Sequence, residues 1–404
     1  WVGKDARIKA DAIASDNGGK VIVWSDQATR MFGDISARGG VAGGNGGLVE
    51  TSGHFLDVAG ARVNAGAAKG RSGTWLLDPL DIIVVNGGTG ALSDADAFDE
   101  KPMDTTSIDP SLLNSSNTNV LLQASNDITF SSPVNFASPG GSLTAQAGRH
   151  ITVNAGITTA GGAITLSANH AGFATTANGS LAVNAPLLTK GGKLTASGYN
   201  LSFGVGSSAI TGTGDMDLRS GYAFSLAPGA FLLAANYIDI MADSVTIDGT
   251  IGATGNRANV SFTPLAPSRG MSISSVKVQG DLSLTPDELN RIQGDGINIG
   301  SSASTGNINV LSDYTSNAGR TPSLVMETTG SIMVGAKLDL ATNYGGTGSV
   351  LLGRYGDQAG NVQVVSGGTI KAGSIFVRSD DMDLSGALNA GAGGSITLMP
   401  QNGN

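Results

Sequence analysis

The sequence contains no cysteine, which excludes disulfide bonds and metal sites built from thiolates. Charged residues make up only 14% and aromatic residues only 5% of the chain, and a chain so poor in Lys and Glu is a poor candidate for a helical protein. No apolar run approaches the length of a membrane-spanning helix, so we do not expect the chain to span a membrane. The formal net charge is −9 and no basic stripe is present, so we expect no nucleic-acid partner.

Glycine, by contrast, is abundant, with 61 Gly in 404 residues, and hydrophobic residues at 40% are sufficient to form a core. One pattern recurs along nearly the whole chain: Gly, any residue, apolar, any residue, apolar. Its alternation has a period of two, so each copy predicts a strand with one buried face. The copies begin at Gly19, Gly73, Gly141, Gly162, Gly179, Gly192, Gly214, Gly280, Gly306, Gly330, Gly348, Gly360, Gly373 and Gly394.

The spacing of these copies fits one coil of a β-helix. Gly141 and Gly162 are 21 residues apart, and Gly192 and Gly214 are 22 apart. A single coil of that length cannot bury its own apolar residues, so coils must stack, with strands about 4.8 Å apart. An antiparallel sandwich also has many short strands, but its hairpins would not return at coil spacing. The sequence therefore predicts an all-β right-handed parallel β-helix (solenoid), continuous over residues 1–404, with about 16 to 18 coils.

Short loops and helical excursions interrupt the predicted coils. Residues 86–106 form an acidic excursion, and coils continue over residues 107–404. Residues 110–114 and 285–291 predict short helical turns, the second with Thr285 as N-cap and Pro286 at the first helical position. Loop insertions are predicted at residues 169–178 and 264–270.

Carboxylates are the first candidates for chemistry, because enzymes that cut polysaccharides gather such groups in one groove. The best local group is Asp380, Asp381 and Asp383, for which a solvated turn before a strand at Leu384 is the favoured interpretation. The excursion offers oxygen ligands for calcium, but it lacks the spacing of an EF-hand or a calcium β-roll. Its acidic residues are Asp94, Asp96, Asp99, Glu100 and Asp104.

Histidines, tryptophans and asparagines give no stronger candidate. The three histidines, His54, His150 and His170, are far apart in sequence and predict no cluster. We interpret Trp24 and Trp75 as core or end-of-coil packing. The Gly-rich residues 39–47 lack the ending of a phosphate loop and predict turn packing between coils. Asparagines in turns predict amide ladders between coils; these are Asn154, Asn184 and Asn389. We therefore expect no catalytic, cofactor-binding or metal-binding residue.

Four segments of the first coils resemble a known family. They are residues 18–26 (GGKVIVWSD), 32–40 (FGDISARGG), 46–53 (GGLVETSG) and 73–79 (GTWLLDP). The series resembles the filamentous-haemagglutinin-like exoproteins of two-partner secretion systems. The resemblance implies export from a Gram-negative bacterium through an outer-membrane β-barrel transporter, followed by folding at the cell surface. The family's Asn-Pro-Asn secretion signature is missing, since the chain contains no Asn-Pro.

Together these observations predict a secreted, cell-surface adhesin or extracellular scaffold rather than an enzyme. The chain would be a β-helical shaft, part of a longer protein, that supports attachment, aggregation or biofilm matrix. Its candidate ligands are polysaccharides and host or cell-surface glycans. Two alternatives stay open: a polysaccharide-processing β-helix enzyme, and a passive spacer with no ligand of its own.

Overall fold

The computed structural model describes residues 1–88, 105–115, 118–170, 178–253, 258–317, 323–340, 348–353 and 360–400. It is a mostly-strand parallel β-solenoid of about 14 turns with very little helix, which confirms the predicted fold class. The prediction of 16 to 18 coils was too high. Because 404 residues over about 14 turns average about 29 per turn, insertions lengthen many turns beyond the regular spacing of 21 or 22.

Contacts divide the chain into two compact units. The first comprises Trp1–Asn200 with Ser207–Gly214, and the second comprises Leu201–Gly206 with Asp215–Asn404. The predicted single segment over residues 1–404 remains a prediction.

The first unit contains 20 complete strands and the start of another, β20, whose last three residues belong to the second unit. The strands are β1 Arg7–Lys9, β2 Lys20–Trp24, β3 Ala28–Arg30, β4 Asp34–Ser36, β5 Leu48–Ser52, β6 Phe55–Asp57, β7 Arg62–Asn64, β8 Thr74–Asp78, β9 Asp81–Val84, β10 Thr105–Ile108, β11 Asn119–Ala124, β12 Ile128–Phe130, β13 Val134–Pro139, β14 Leu143–Ala147, β15 Ile151–Val153, β16 Ile157–Ala160, β17 Ile164–Ser167, β18 Leu181–Val183, β19 Leu187–Leu188, β20 Leu194–Phe203 and β21 Ser208–Gly212.

These strands stack in three parallel columns. One turn departs from this plan: after β8 and β9 it adds the extra strand β10, which pairs with β9, and it has the helix Pro110–Asn114 instead of a third-column strand. The first column runs β2, β5, β8, β11, β14, β17, β20; the second contains β3, β6, β9, β12, β15 and β18; the third contains β1, β4, β7 and then β13, β16, β19, β21. Pairing is in register, as in Val120↔Leu143 and Leu143↔Ile164. These side chains point inward and are fully buried, so the core is a continuous stack of mostly aliphatic residues, with Trp75 in the same row.

The second unit has the same architecture. Its strands are β22 Met216–Leu226, β23 Phe231–Ala234, β24 Tyr237–Met241, β25 Ser244–Ile247, β26 Thr250–Ile251, β27 Asn259–Thr263, β28 Met271–Ile273, β29 Leu282–Leu284, β30 Gly296–Gly300, β31 Ile308–Val310, β32 Tyr314–Thr315, β33 Ser323–Glu327, β34 Ile332–Val334, β35 Lys337–Asp339, β36 Ser349–Gly353, β37 Asn361–Val364, β38 Thr369–Lys371, β39 Ser374–Arg378, β40 Asp381–Asp383, β41 Ala387–Asn389 and β42 Ser395–Met399. The first column runs β22, β24, β27, β30, β33, β36, β39, β42, and two further sheets have six strands (β29, β28, β31, β34, β37, β40) and four strands (β32, β35, β38, β41).

Every predicted copy of the Gly pattern is followed by a strand. Buried threonines explain part of this regularity. Thr159 Oγ1 donates to Gly162 O at 2.5 Å and lies 3.1 Å from Thr189 O in the next turn, and Thr189 repeats the arrangement toward Gly192 and Thr211. Each hydroxyl satisfies a carbonyl that the tight turn would otherwise leave without a donor.

Both predicted helical turns are confirmed. Helix α1 spans Pro110–Asn114, and helix α2 spans Pro286–Leu289, ending two residues before the predicted limit. Thr285 caps α2 in a capping box with Glu288, which satisfies donors that the first turn leaves unpaired. Among the described residues, no helix is both long and apolar enough to cross a membrane.

The acidic excursion is described only at its ends, since residues 89–104, including all its predicted acidic side chains, lie outside the described residues. Strand β10 begins at Thr105, before the predicted limit of 106, and pairs in parallel with β9. Leu56 N also donates to Thr106 Oγ1 at 3.0 Å. The chain therefore returns to the sheet earlier than predicted.

Candidate functional site

The first column of strands carries a cleft on its outer face, at the ends of β2, β5 and β8. Its volume is about 260 Å³. We call it the acidic cleft and define it by Trp24, Asp26, Glu50, His54 and Asp78, which line it together with neighbouring turn residues. In the pairing register Trp24, Ser52 and Asp78 form one row across three turns, and Glu50 lies two residues before Ser52 on the middle strand.

Glycines at the start of the three strands fix this register. A Cβ added to Gly47 would lie 1.9 Å from Gly19 O, and one added to Gly73 would lie 2.0 Å from Gly47 O. No side chain fits at such separations, so only glycine lets these turns stack so closely. Because each strand starts from a stacked glycine, the residue five positions after that glycine falls in the same row, as Trp24, Ser52 and Asp78 do.

Two carboxyl groups of the cleft influence each other. Burial, and then the negative charge of Glu50, raise the pKa of the Asp78 carboxyl above its ordinary value. Glu50 is held in place by Ser52, whose hydroxyl donates to Glu50 Oε1 at 3.0 Å. Asp78 therefore keeps a proton to a higher pH than a solvated aspartate does, while Glu50 lies close enough to interact with it.

Trp24 supplies an open aromatic surface at the same place. Its side chain is 61% exposed, so its predicted packing in the core was wrong. The prediction is confirmed for Trp75, which is fully buried and donates its indole N–H to Thr51 Oγ1 at 3.1 Å. Trp75 pairs with Val49 and points inward, whereas Trp24 pairs with Ser52 and points outward.

The structure does not bring the other predicted candidates together. Asp381 and Asp383 belong to strand β40 and are exposed on its outer side. The predicted turn before a strand at Leu384 was therefore wrong, because pairing with β37 holds this polar segment in the sheet. Asp380 precedes the strand and is also exposed.

The three histidines lie in three different turns, and His170 lies on the turn stacked on that of His150, since Asn169 N donates to Arg149 O at 3.0 Å. His54 lines the acidic cleft, while His150 Nδ1 accepts from Ser180 N at 3.1 Å and His170 Nδ1 lies 3.1 Å from Ser167 Oγ. Within the described ranges, no group of three or more His, Asp or Glu side chains is arranged to hold a metal ion.

The predicted amide ladder forms at two of its three asparagines, and the predicted turn packing is present in the Gly-rich segment. Asn184 Nδ2 donates to Asn154 Oδ1 at 2.9 Å, which forms the predicted amide ladder. Asn389 instead accepts from Gly391 N at 2.9 Å, within its own turn. In the Gly-rich segment, a Cβ on Gly46 would meet Ala65 O at 1.7 Å, which confirms turn packing between coils.

Glu50 and Asp78 were not predicted from the sequence as site residues. A usable signal was present: aligning the strands on Gly19, Gly47 and Gly73 places Trp24 and Asp78 in one outward row. The resulting cleft combines a carboxyl group whose pKa is raised, a second carboxyl group and an aromatic face. Such a set can hydrogen-bond to sugar hydroxyls and stack on a sugar ring. No protein-family model matches the chain, and no curated protein matches it.

Proposed function

We propose that this chain is a secreted β-helical shaft of a surface exoprotein, acting as an adhesin or extracellular scaffold that binds glycans. The segments in residues 18–79 that resemble filamentous-haemagglutinin-like exoproteins support export by two-partner secretion through an outer-membrane β-barrel transporter. The β-solenoid fold is the one that this resemblance implies. The protein would then act at the cell surface or outside the cell.

The repeated polar rows on the outside of the solenoid are the observation that carries the proposal. Gln123 Nε2 donates to Gln146 Oε1 at 2.6 Å in the next turn, and Ser197 Oγ donates to Ser167 Oγ at 3.1 Å. Stacked turns thus present amide and hydroxyl groups at a fixed repeat of about 4.8 Å. A polysaccharide with its own repeating hydroxyls can meet several of these groups at once, and many weak contacts add up through multivalency.

A glycan array tests this proposal, together with the matrix polysaccharide of the producing organism. The purified chain should be retained, and the soluble fraction should contain no released oligosaccharide. Retention without cleavage supports an adhesin or scaffold. Absence of retention would favour the passive spacer, and release of oligosaccharides would refute a purely adhesive role.

The acidic cleft favours a second candidate function, the processing of a polysaccharide. Asp78 with its raised pKa has the property of a general acid, and Glu50 that of a base or nucleophile. Trp24 would hold a sugar ring at the entrance. In this mechanism Asp78 donates its proton to the glycosidic oxygen, and Glu50 activates water or attacks the sugar carbon.

Substitutions in the cleft distinguish the two functions. If the chain processes glycans, Asp78→Asn should abolish oligosaccharide release and leave retention unchanged, while Asp381→Asn, on an exposed strand of the second unit, should leave both unchanged. If the chain only binds glycans, neither variant changes the product profile, and Trp24→Ala weakens retention of any glycan bound at the cleft.

A further inference from the structure

A second groove lies on a different face of the first turns, across strands β1, β4 and β7. Its volume is about 460 Å³, and residues Leu112 and Ser115 from the α1 region form part of its wall. Four cationic side chains line it: Arg7, Lys9, Arg38 and Arg62. We call this surface, defined by those four residues, the cationic groove.

The pairing register arranges the cations along the stacking direction. Arg7, Asp34 and Arg62 occupy one outward row, and Lys9 begins the neighbouring row. Since adjacent turns are about 4.8 Å apart, the backbones of Arg7 and Arg62 are separated by roughly 10 Å. The inward partners of this sheet, Ile8 and Ile35, fix the alternation that makes the charged side chains point outward.

Much of this positive charge is not neutralised. Arg38 forms an ion pair with Asp11, in which Arg38 Nη2 lies 2.9 Å from Asp11 Oδ2. Hydrogen bonds from Arg38 and Ser36 outweigh the effect of burial and lower the pKa of that aspartate. Arg7 Nε lies 3.8 Å from Asp34 Oδ2 in a largely solvated pair, which contributes little.

Lys9 and Arg62 have no ion-pair partner among the described residues. Counting the four cations against Asp11 and Asp34 gives a local charge of +2, in a chain whose net charge is −9. A groove of opposite sign to the rest of the chain attracts an anionic ligand.

An adjoining cavity of about 1050 Å³ extends the groove. It shares Arg7, Asp34 and Arg62 with the groove and adds the oppositely charged pair Lys4 and Asp5, so it leaves the local charge unchanged. It also adds Phe32, whose ring packs edge-on with Trp1 at 5.5 Å between centroids. A flat aromatic side chain beside guanidinium groups suits a ligand that has both apolar ring faces and acidic substituents. Sugar acids have both.

We propose that the cationic groove binds a linear polysaccharide whose sugars carry carboxylate groups. The chain itself places one carboxylate, Asp34, in the row between Arg7 and Arg62, and guanidinium groups bind carboxylates with two parallel hydrogen bonds. A polymer lying along the stacking direction would set one carboxylate against Arg7 and Lys9, which share strand β1, and a later one against Arg62, two turns along. Double-stranded DNA fits less well, because its one charge per about 1.7 Å would also meet the carboxylates of Asp34 and Asp11.

This inference deepens the proposed adhesin function and rests on it for the glycan nature of the ligand. The full chain is passed over immobilised polygalacturonate, dextran sulfate, neutral dextran and duplex DNA at increasing salt concentration. Polygalacturonate should be retained most strongly, and retention should fall as salt rises, because the contacts are ionic.

A pair of charge-matched variants localises the binding. Lys9→Glu with Arg62→Glu reverses two groove cations, and Lys69→Glu with Arg71→Glu reverses two exposed cations that do not line the groove. Since each lost charge-assisted hydrogen bond weakens binding severalfold or more, the groove variant should bind polygalacturonate at least about tenfold more weakly. The affinity of the control variant should change by less than about twofold, because its reversed charges act on the groove only at long range, where salt screens them. Far-UV circular dichroism checks that each variant folds, and Arg62→Gln serves as a milder variant.

Each other outcome counts against the inference in a distinct way. Equal losses in both variants would show that binding follows overall charge, not the groove. Stronger retention on dextran sulfate or DNA than on polygalacturonate would refute a preference for carboxylates and show that the groove binds sulfate or phosphate groups instead. Equal retention on neutral dextran would refute the inference and leave the proposed glycan binding intact, whereas no retention on any polysaccharide would refute both.

Discussion

Trp75 offers the sharpest test of how the solenoid core is held together. Its indole is fully buried between Val49 and Val120 of the neighbouring turns, and its N–H donates to Thr51 Oγ1 at 3.1 Å. Replacing Trp75 with Ala removes the largest group from a packed core, so we expect a loss of about 3–5 kcal/mol in the free energy of unfolding. Thr51→Val keeps the side-chain shape but leaves a buried N–H without an acceptor, which costs about 1–3 kcal/mol.

A double-mutant cycle isolates the hydrogen bond from the packing. In Trp75→Phe with Thr51→Val both polar partners are gone, so the double variant should be less destabilised than the sum of the single variants, by about 1 kcal/mol. Because repeat arrays need not unfold in one step, hydrogen exchange at the amides of β5, β8 and β11 is the appropriate measurement. Strict additivity, or equal exchange in Trp75→Ala and wild type, would refute the structural argument.

Three further outcomes follow from the same contacts. Leu143→Ala, in the buried stack, should cost about 2–5 kcal/mol, whereas its outward neighbour Thr144→Ala should change stability by less than about 0.5 kcal/mol in denaturant titrations. Thr285→Ala should cost about 1 kcal/mol through loss of the N-cap of α2, and Thr285→Ser should restore most of it. The raised folded-state pKa of Asp78 means that its contribution to stability is complete below its unfolded pKa, near 3.8, and is lost as pH rises through the folded value. Asp78→Asn should therefore raise the melting temperature at pH 7 and leave it almost unchanged at low pH. Thermal melts over a pH series test this, and a stabilisation seen only at low pH would contradict the assignment.

The strands and helical turns could be predicted because their signals are local. The Gly pattern predicted the strand positions, and the helical turn Pro110–Asn114 was predicted with the bounds that the structure has. Strand β40 could not be predicted in this way, because Asp381 and Asp383 disfavour strands by propensity. Its partner β37 supplies the hydrogen bonds that override this preference.

Trp24 shows why the faces of a strand are harder to assign than the strand itself. Strand β2 has apolar residues at odd and at even positions, namely Val21, Ile22, Val23 and Trp24. Alternation within the strand therefore does not decide which residues point inward. The next turn decides it: Val49 and Thr51 are buried beside Val21 and Val23, and Trp24 is left outside. In a solenoid, the orientation of one strand is therefore best inferred from the strand stacked on it.

The same reasoning explains how such a fold acquires binding sites. An outward position recurs once per turn at a fixed spacing, and a change there leaves the aliphatic stack untouched. Some outward rows carry small polar residues, as at Ser167 and Ser197. The acidic cleft and the cationic groove are places where consecutive turns replace such residues with Trp24 and Asp78, or with Arg7 and Arg62. Because each site combines outward positions from several turns, its specificity depends on register, and an insertion that shifted one turn by a single residue would destroy the site by turning its side chains into the core.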